Sequence, residues 1–413
     1  GFAYKVLGDD ESAFVDDRIV AGPFTFQGIV AISDPVRSDV PAAVKECLDA
    51  GIAIKIVTGD TPATACEIGR QIGLWSDADN DRNIITGPEL GALSDSELDS
   101  RVMDLKIIAR ARPMDKKRLV ESLQRCNQVV AVTGDGTNDA PALKQAHVGL
   151  SMGDGTSVAK EASDITIIDN SFGSIGRAVM WGRSLYQNIQ RFLLFQLTVN
   201  VAASFIVLLG AFMGTQSPLT VTQMLWVNLI MDTFAAMALA SLPPSERVMR
   251  DKPRDRKAFI LNRNMYENIL GVGGFFFLLL FVLLFVFEHA DIRQLTDLLH
   301  VHLGKADGLT PYELTLFFTI FVMTHFFYLF NARAFETGRS ALHFKGCKGL
   351  LFTAAIIFLG QIAMVELPVL QQFFNVVGLK FTDWVIIIVG SSLVLWVREV
   401  WQWIKHLSTN KRK

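Results

Sequence analysis

Three groups of residues in the first part of the chain have the types and positions that phosphate chemistry needs. Thr58-Gly59-Asp60 follows the apolar run 54–57. A hydroxyl at a strand end, beside a glycine turn, can donate to a phosphate oxygen. Lys116 opens a helical pattern after Arg112-Pro113, where an ammonium could neutralise a phosphoryl group. The run Thr133-Gly134-Asp135-Gly136-Thr137-Asn138-Asp139-Ala140-Pro141 joins the apolar segment 129–132 to the next helical pattern. Its glycines let backbone approach a ligand, Asn138 or Asp139 can cap the helix, and two carboxylates at one strand end suit Mg²⁺. Each group also has an ordinary reading as a strand-to-helix turn, a solvated lysine or a capped turn. The capped turn accounts for Asp139 and leaves Asp135 without a role. All three in this order, at successive strand ends, are far less ordinary than any one.

A second chemistry lies further along. Between residues 192 and 241 the only ionisable side chain is Asp232, and a carboxylate in hydrocarbon costs about 3 kcal/mol even on the lenient insertion scale. Such a residue marks a pathway or an ion site. Asn228 lies one helical turn earlier, on the same face. Asn200, on the preceding antiparallel segment, is about eight residues or ~12 Å from its cytoplasmic end, and Asn228 is about nine residues from the external end. The three can meet near the middle of a bilayer. One carboxylate and two amide oxygens form a hard site that suits Ca²⁺, although calcium prefers about six to eight ligands, so others must come from elsewhere. These residues alone leave Na⁺, Mn²⁺ and H⁺ open, and either asparagine alone could be making an interhelical hydrogen bond.

The elements that position these groups divide the chain. Of its 413 residues half are hydrophobic, and the formal charge is -2, so no basic surface points to nucleic acid. Residues 1–180 read as an α/β protein, whereas six later segments are long and apolar enough to span a membrane: 192–214, 219–242, 269–288, 314–330, 349–366 and 384–403. The loop after the second carries Arg247, Arg250, Lys252, Arg254, Arg256, Lys257 and Arg263. The loop after the fourth carries Arg333, Arg339, Lys345 and Lys348, and the tail ends Lys411-Arg412-Lys413. The positive-inside rule therefore expects these loops and both termini on the cytoplasmic side. Cys47, Cys66, Cys126 and Cys347 fall on that side, where thiols stay reduced.

In the first part, strand-like runs at 28–33, 53–57, 107–109, 129–132, 148–151 and 165–168 alternate with helical patterns at 41–50, 63–72, 116–125 and 140–146. That alternation predicts a parallel sheet with helices on both faces, with ligands at the carboxyl ends of its strands. All three polar groups stand at such ends. The predicted organisation is a small N-terminal piece and hinge at 1–27, an α/β domain at 28–175, and a six-helix membrane domain with a cytoplasmic stalk at 176–413.

A hydroxyl, a lysine and a GDxxxD pair at successive strand ends resemble the haloacid-dehalogenase fold, whose enzymes transfer phosphoryl groups through an aspartate. The run TGDGTNDAPALKQAHVGLSMGDGTSVAKEASD further resembles the phosphorylation domain of P-type ATPases almost residue for residue. Asp34-Pro35-Val36-Arg37 resembles that family's hinge, usually DPPR, with Val36 as the departure. The family's nucleophile lies in a DKTG sequence, and this chain contains none. Asp34, although it follows a strand-like run, lacks the second acid or threonine expected two positions on. The resemblance therefore implies that the phosphoacceptor strand, the actuator domain, four membrane helices and most of the nucleotide domain precede Gly1.

By the same resemblance, Thr58, Gly59, Asp60 and Lys116 would hold the phosphoryl group, Asn138 and Asp139 would organise the site, and Asp135 with Asp139 would hold Mg²⁺, with ATP as substrate. The segments FQLTVNV at 195–201 and MLWVNLIMDT at 224–233 resemble the fifth and sixth helices of plasma-membrane-type calcium pumps. Asn200, Asn228 and Asp232 match that family's calcium ligands, and the remaining ligands would lie on a fourth helix absent from this chain. Pumps of the sarcoplasmic-reticulum type bind a second calcium with a glutamate where Ala203 stands, a threonine where Met231 stands and an eighth-helix glutamate near His325. The resemblance thus implies one Ca²⁺ per cycle, in a multi-pass protein of the plasma membrane. His325 could relay protons in a membrane helix, but a buried hydrogen bond is the plainer expectation. The alternative to a pump is a catalytically silent membrane module.

Overall fold

The computed structural model describes residues 1–9, 12–16, 18–19, 22–30, 35–214, 217–304 and 308–410. The chain divides into two compact units: Gly1–Leu48 with Ala53–Ser174, and Asp49–Ile52 with Ile175–Lys413.

The first unit holds two three-stranded parallel sheets. Strands β1 (Ile56–Val57), β2 (Ile84–Thr86) and β3 (Ile107–Ala109) lie in the order β1-β3-β2. Ile107 pairs with both Ile56 and Ile84. As the middle strand, β3 is buried at every residue, which is why Ile107-Ile108-Ala109 is continuously apolar rather than alternating. Strands β4 (Ala131–Gly134), β5 (Val148–Met152) and β6 (Ile165–Ile167) form the second sheet in the order β6-β5-β4.

Helices α1 (Val40–Asp49), α2 (Pro62–Gln71), α3 (Pro113–Arg125) and α4 (Ala140–Gln145) follow the expected pattern. Proline opens α2 and α3, where its missing N–H costs nothing. Ile85, Leu90, Leu98, Leu105, Ile108 and Leu119 form the main core of this unit.

β2 and the short helices Gly87–Ala92, Asp95–Arg101 and Ser157–Ala162 were not anticipated. In the first 30 residues the strands are antiparallel: Phe2–Tyr4 pairs with Thr25–Gly28, and Phe14–Val15 with Arg18–Ile19. The expected strand 28–33 falls partly on residues 31–34, outside the described residues, as does Asp34 of the hinge motif.

Among its described residues the second unit contains six helices long and apolar enough to cross a membrane. They are α5 (Phe172–Met213), α6 (Val221–Ala240), α7 (Arg263–His289), α8 (Pro311–Arg333), α9 (Lys348–Glu366) and α10 (Phe381–Asn410). Each contains or closely overlaps one expected span. In α8, 83% of the most apolar window is buried, against 22–39% in the others, so α8 is the central helix. Two of its threonine hydroxyls bond along the helix: Thr315 donates to Pro311 O and Thr319 to Thr315 O, both at 2.8 Å. Its own Phe317, Phe318 and Phe321 are fully buried, as are Phe195 and Phe276 of other helices.

α5 runs through 42 residues without a break, from the polar stalk into the apolar span. In the stalk, Arg183 donates through Nη1 to the carbonyls of Val248 and Asp251 and through Nη2 to that of Ala50, each at 2.9 Å. Ala50, Val248 and Met249 are buried together beside Val179 and Met180. Gly51, at φ +75°, follows; a Cβ there would lie 2.6 Å from Pro253 Cδ, so only glycine fits.

Candidate functional site

In the first unit the strand ends form a bonded chain. Thr58 N donates to Ile108 O, and Thr58 O accepts from Ala111 N at 2.9 Å, which ties the end of β1 to the segment leading into α3. The Thr58 hydroxyl donates to Asp60 Oδ2 at 2.8 Å, and Asp60 N returns a bond to Thr58 Oγ1 at 3.1 Å. Gly59 and Asp60 are exposed. At the start of α3, Asp115 accepts from Arg112 N at 2.8 Å. One residue on, Lys116 reaches Asp139 Oδ1 at 2.6 Å. The other Asp139 oxygen accepts from the backbone N of Asp135 and of Gly136, both at 3.2 Å.

Asp139 is therefore buried and engaged through both oxygens. It clamps the loop after β4 to α3. Gly134 is required by this close approach, since a Cβ there would sit 2.4 Å from Asp139 Cβ. Asp135 is exposed; its carbonyl accepts from Thr156 N at 2.8 Å, while among the described residues no donor meets its carboxylate. Asn138 is exposed in the short turn Thr137–Asp139. These bonds set the two carboxylates expected at Mg²⁺ apart. Lys116 and two amides take three of the roughly four acceptor positions of Asp139, whereas Asp135 presents its carboxylate to solvent, so Asp135 is the more open of the two to a hard cation.

In the second unit Asp232 is 3% exposed. Gln196 Nε2, on α5, donates to Asp232 Oδ2 at 2.7 Å, and among the described residues Oδ1 has no partner. A buried carboxylate oxygen left unpaired is costly unless a ligand comes to it. The helix just before Asp232 widens into a π-helical segment, Trp226–Met231, which contains Asn228. Such segments are rare and collect at functional sites. Asn228 is exposed and Asn200 half-buried, and among the described residues neither amide bonds to Asp232.

Ala203, Met231 and His325 are all buried at 2% exposure or less. His325 Nδ1 bonds Phe321 O at 2.6 Å, the local hydrogen bond expected of it, and among the described residues its Nε2 has no partner.

Two features were missed by sequence reasoning. Gln196 sits four residues before Asn200 and so shares its face, a spacing that could have flagged it. The π segment leaves no mark in composition.

Residues 216–404 match the family model described as cation transporting ATPase, C-terminus. Residues 3–147 and 116–179 match two models of haloacid dehalogenase-like hydrolases. The chain thus joins a haloacid dehalogenase-like domain to the C-terminal region of a cation-transporting ATPase. It belongs to the P-type ATPases.

Among its relatives, "Calcium-transporting ATPase 7, plasma membrane-type" of Oryza sativa subsp. japonica is 40% identical over 401 residues, 96% of this chain and 37% of that protein. "Plasma membrane calcium-transporting ATPase 4" of Homo sapiens is 37% identical over 411 residues, 95% of this chain and 32% of that protein. "Calcium-transporting ATPase 2" of Schizosaccharomyces pombe is 47% identical over 263 residues, 63% of this chain and 20% of that protein. The chain spans about a third of the length of the first two.

Proposed function

We propose that this chain is the C-terminal part of an ATP-driven calcium pump of the plasma membrane that works through an aspartyl-phosphate. The observation that carries the reading is Asp232, a carboxylate buried in a membrane helix with one oxygen unpaired, beside a π segment that carries Asn228. Asp232, Asn228 and Asn200 contribute oxygen ligands to the transported Ca²⁺. Ala203, Met231 and His325 offer no carboxylate or hydroxyl for a second ion, which supports one Ca²⁺ per cycle.

Residues 28–175 form the phosphorylation domain, 1–27 the end of a nucleotide domain with its hinge, and 176–413 the membrane domain with its stalk. The loops after the second and fourth spans lie in the cytoplasm. The phosphorylated aspartate and most of the ATP site belong to sequence outside this chain. Lys116, fixed by Asp139, neutralises charge on the phosphoryl group. The Thr58 hydroxyl exchanges Asp60 for a phosphoryl oxygen, and the exposed amide of Asn138 completes the rim. Mg²⁺ held by Asp135 supplies further charge neutralisation. Positioning and fixed charge provide most of the catalysis in phosphoryl transfer.

The test is acid-stable phosphoenzyme formed from ATP by the complete pump, with Ca²⁺, Na⁺ and Mn²⁺ supplied one at a time and with pH varied. Dependence on micromolar Ca²⁺ is the expected result. Dependence on another cation would change the cargo and keep the pump. No phosphoenzyme under any condition would leave a silent membrane module.

A further inference from the structure

Resting on the cation-site reading of Asp232, we propose that Gln196 is a positioning residue for that site. It holds one carboxylate oxygen so that the other is presented to the ion.

A lone buried carboxylate on a helix can turn about its last torsion, and it gains nothing from pointing at hydrocarbon. Here the two oxygens are treated differently. Oδ2 accepts from Gln196 Nε2 at 2.7 Å, and among the described residues Oδ1 accepts from nothing. A carboxylate oxygen only accepts, so the amide must face it with its NH₂, which fixes the glutamine as donor. The bond crosses between α5 and α6, the two helices that carry Asn200 and Asn228, so it also sets one against the other at that depth. Buried groups of this kind, which bond a ligand without touching the metal, typically alter metal affinity about 10–100-fold when removed.

Half-buried Gln196 does not serve the fold in the way buried Gln190, on the same helix, does. Gln190 Nε2 donates at 2.8 Å to the carbonyl of Ile260, a backbone acceptor rather than a carboxylate. Gln190 is therefore a matched control: same helix, same amide, a partner other than the Asp232 carboxylate.

The experiment compares Gln196→Met, Gln196→His, Gln190→Met and Asp232→Asn in the complete pump. It measures binding of radioactive Ca²⁺ at equilibrium without ATP, the Ca²⁺ concentration for half-maximal phosphoenzyme, and the thermal unfolding midpoint. Methionine keeps the length of glutamine and removes the donor, whereas histidine keeps an N–H. Gln196→Met is expected to raise the half-saturating Ca²⁺ about tenfold, with the phosphoenzyme level at saturating Ca²⁺ unchanged. Gln196→His should restore the half-saturation toward wild type, and Gln190→Met should leave it unchanged.

If Gln196→Met leaves half-saturation unchanged or lowers it, while Asp232→Asn abolishes binding, the positioning role falls and the cation site stands. The same follows if Gln190→Met raises half-saturation as much as Gln196→Met, since the effect is then one of packing. If Asp232→Asn binds Ca²⁺ normally, the site reading itself falls. Should Gln196→Met fail to fold, Gln196→His decides: it must bind Ca²⁺ near wild type, and a tenfold loss there refutes the role.

Discussion

The loops at the strand ends of the first unit and the middle of the second unit treat their acids in opposite ways. Asp139 is bonded through both oxygens, to Lys116 and to two backbone amides, and so locks the loop that carries Asp135. Asp232 is bonded through one oxygen only. The first arrangement holds charge in place before a substrate arrives, which is what phosphoryl transfer needs from fixed groups. The second keeps a binding capacity in reserve, which suits a site that must take up and release its ligand. One acid is spent on geometry, and the other is kept for a ligand.

The comparison breaks most sharply at Asp135. If its free carboxylate holds Mg²⁺, Asp135→Asn in the complete pump should reduce phosphoenzyme from ATP to background, with the protein still folded by circular dichroism. Near-normal phosphoenzyme would show that the loop is only a turn.

Lys116→Met should lower the rate of phosphoenzyme formation by about 10²–10³-fold, the usual cost of one fixed charge-stabilising donor. It should also leave Asp139 held by amides alone. Phosphorylation kinetics by rapid quench would measure it, and a change below threefold would place Lys116 outside the chemistry.

The smallest effect is at Gly134. A methyl there meets Asp139, so Gly134→Ala should destabilise by about 1–3 kcal/mol as the loop shifts. Thermal unfolding measures the loss, and an unchanged midpoint would mean the Asp139 clamp is softer than its bonds imply.

Much of this was legible in the sequence because it depends on local rules. The six spans follow from hydrophobic length, and the parallel sheets from strands alternating with helices. Asp232 stood out because one acid in fifty apolar positions is expensive. The division of labour between Asp135 and Asp139 was not legible. It depends on Lys116 reaching across from another helix, a tertiary pairing that no spacing in the run 133–141 encodes. Strand β2, Ile84–Thr86, was missed because three residues followed by Gly87-Pro88 read as a turn, and only its pairing with β3 makes it a strand. The π segment was hidden for the same reason. Met224 to Thr233 has an ordinary helical pattern, and the widened turn shows only in the hydrogen bonds of the folded helix.

The central claim is that Asp232 binds the transported ion. The most direct measurement is equilibrium binding of radioactive Ca²⁺ to the purified complete pump without ATP, in the wild type and in Asp232→Asn, at micromolar free Ca²⁺. The account expects one Ca²⁺ bound per wild-type molecule and none in the variant. Equal binding in both would contradict it, because the carboxylate would then be buried for some purpose other than holding the ion.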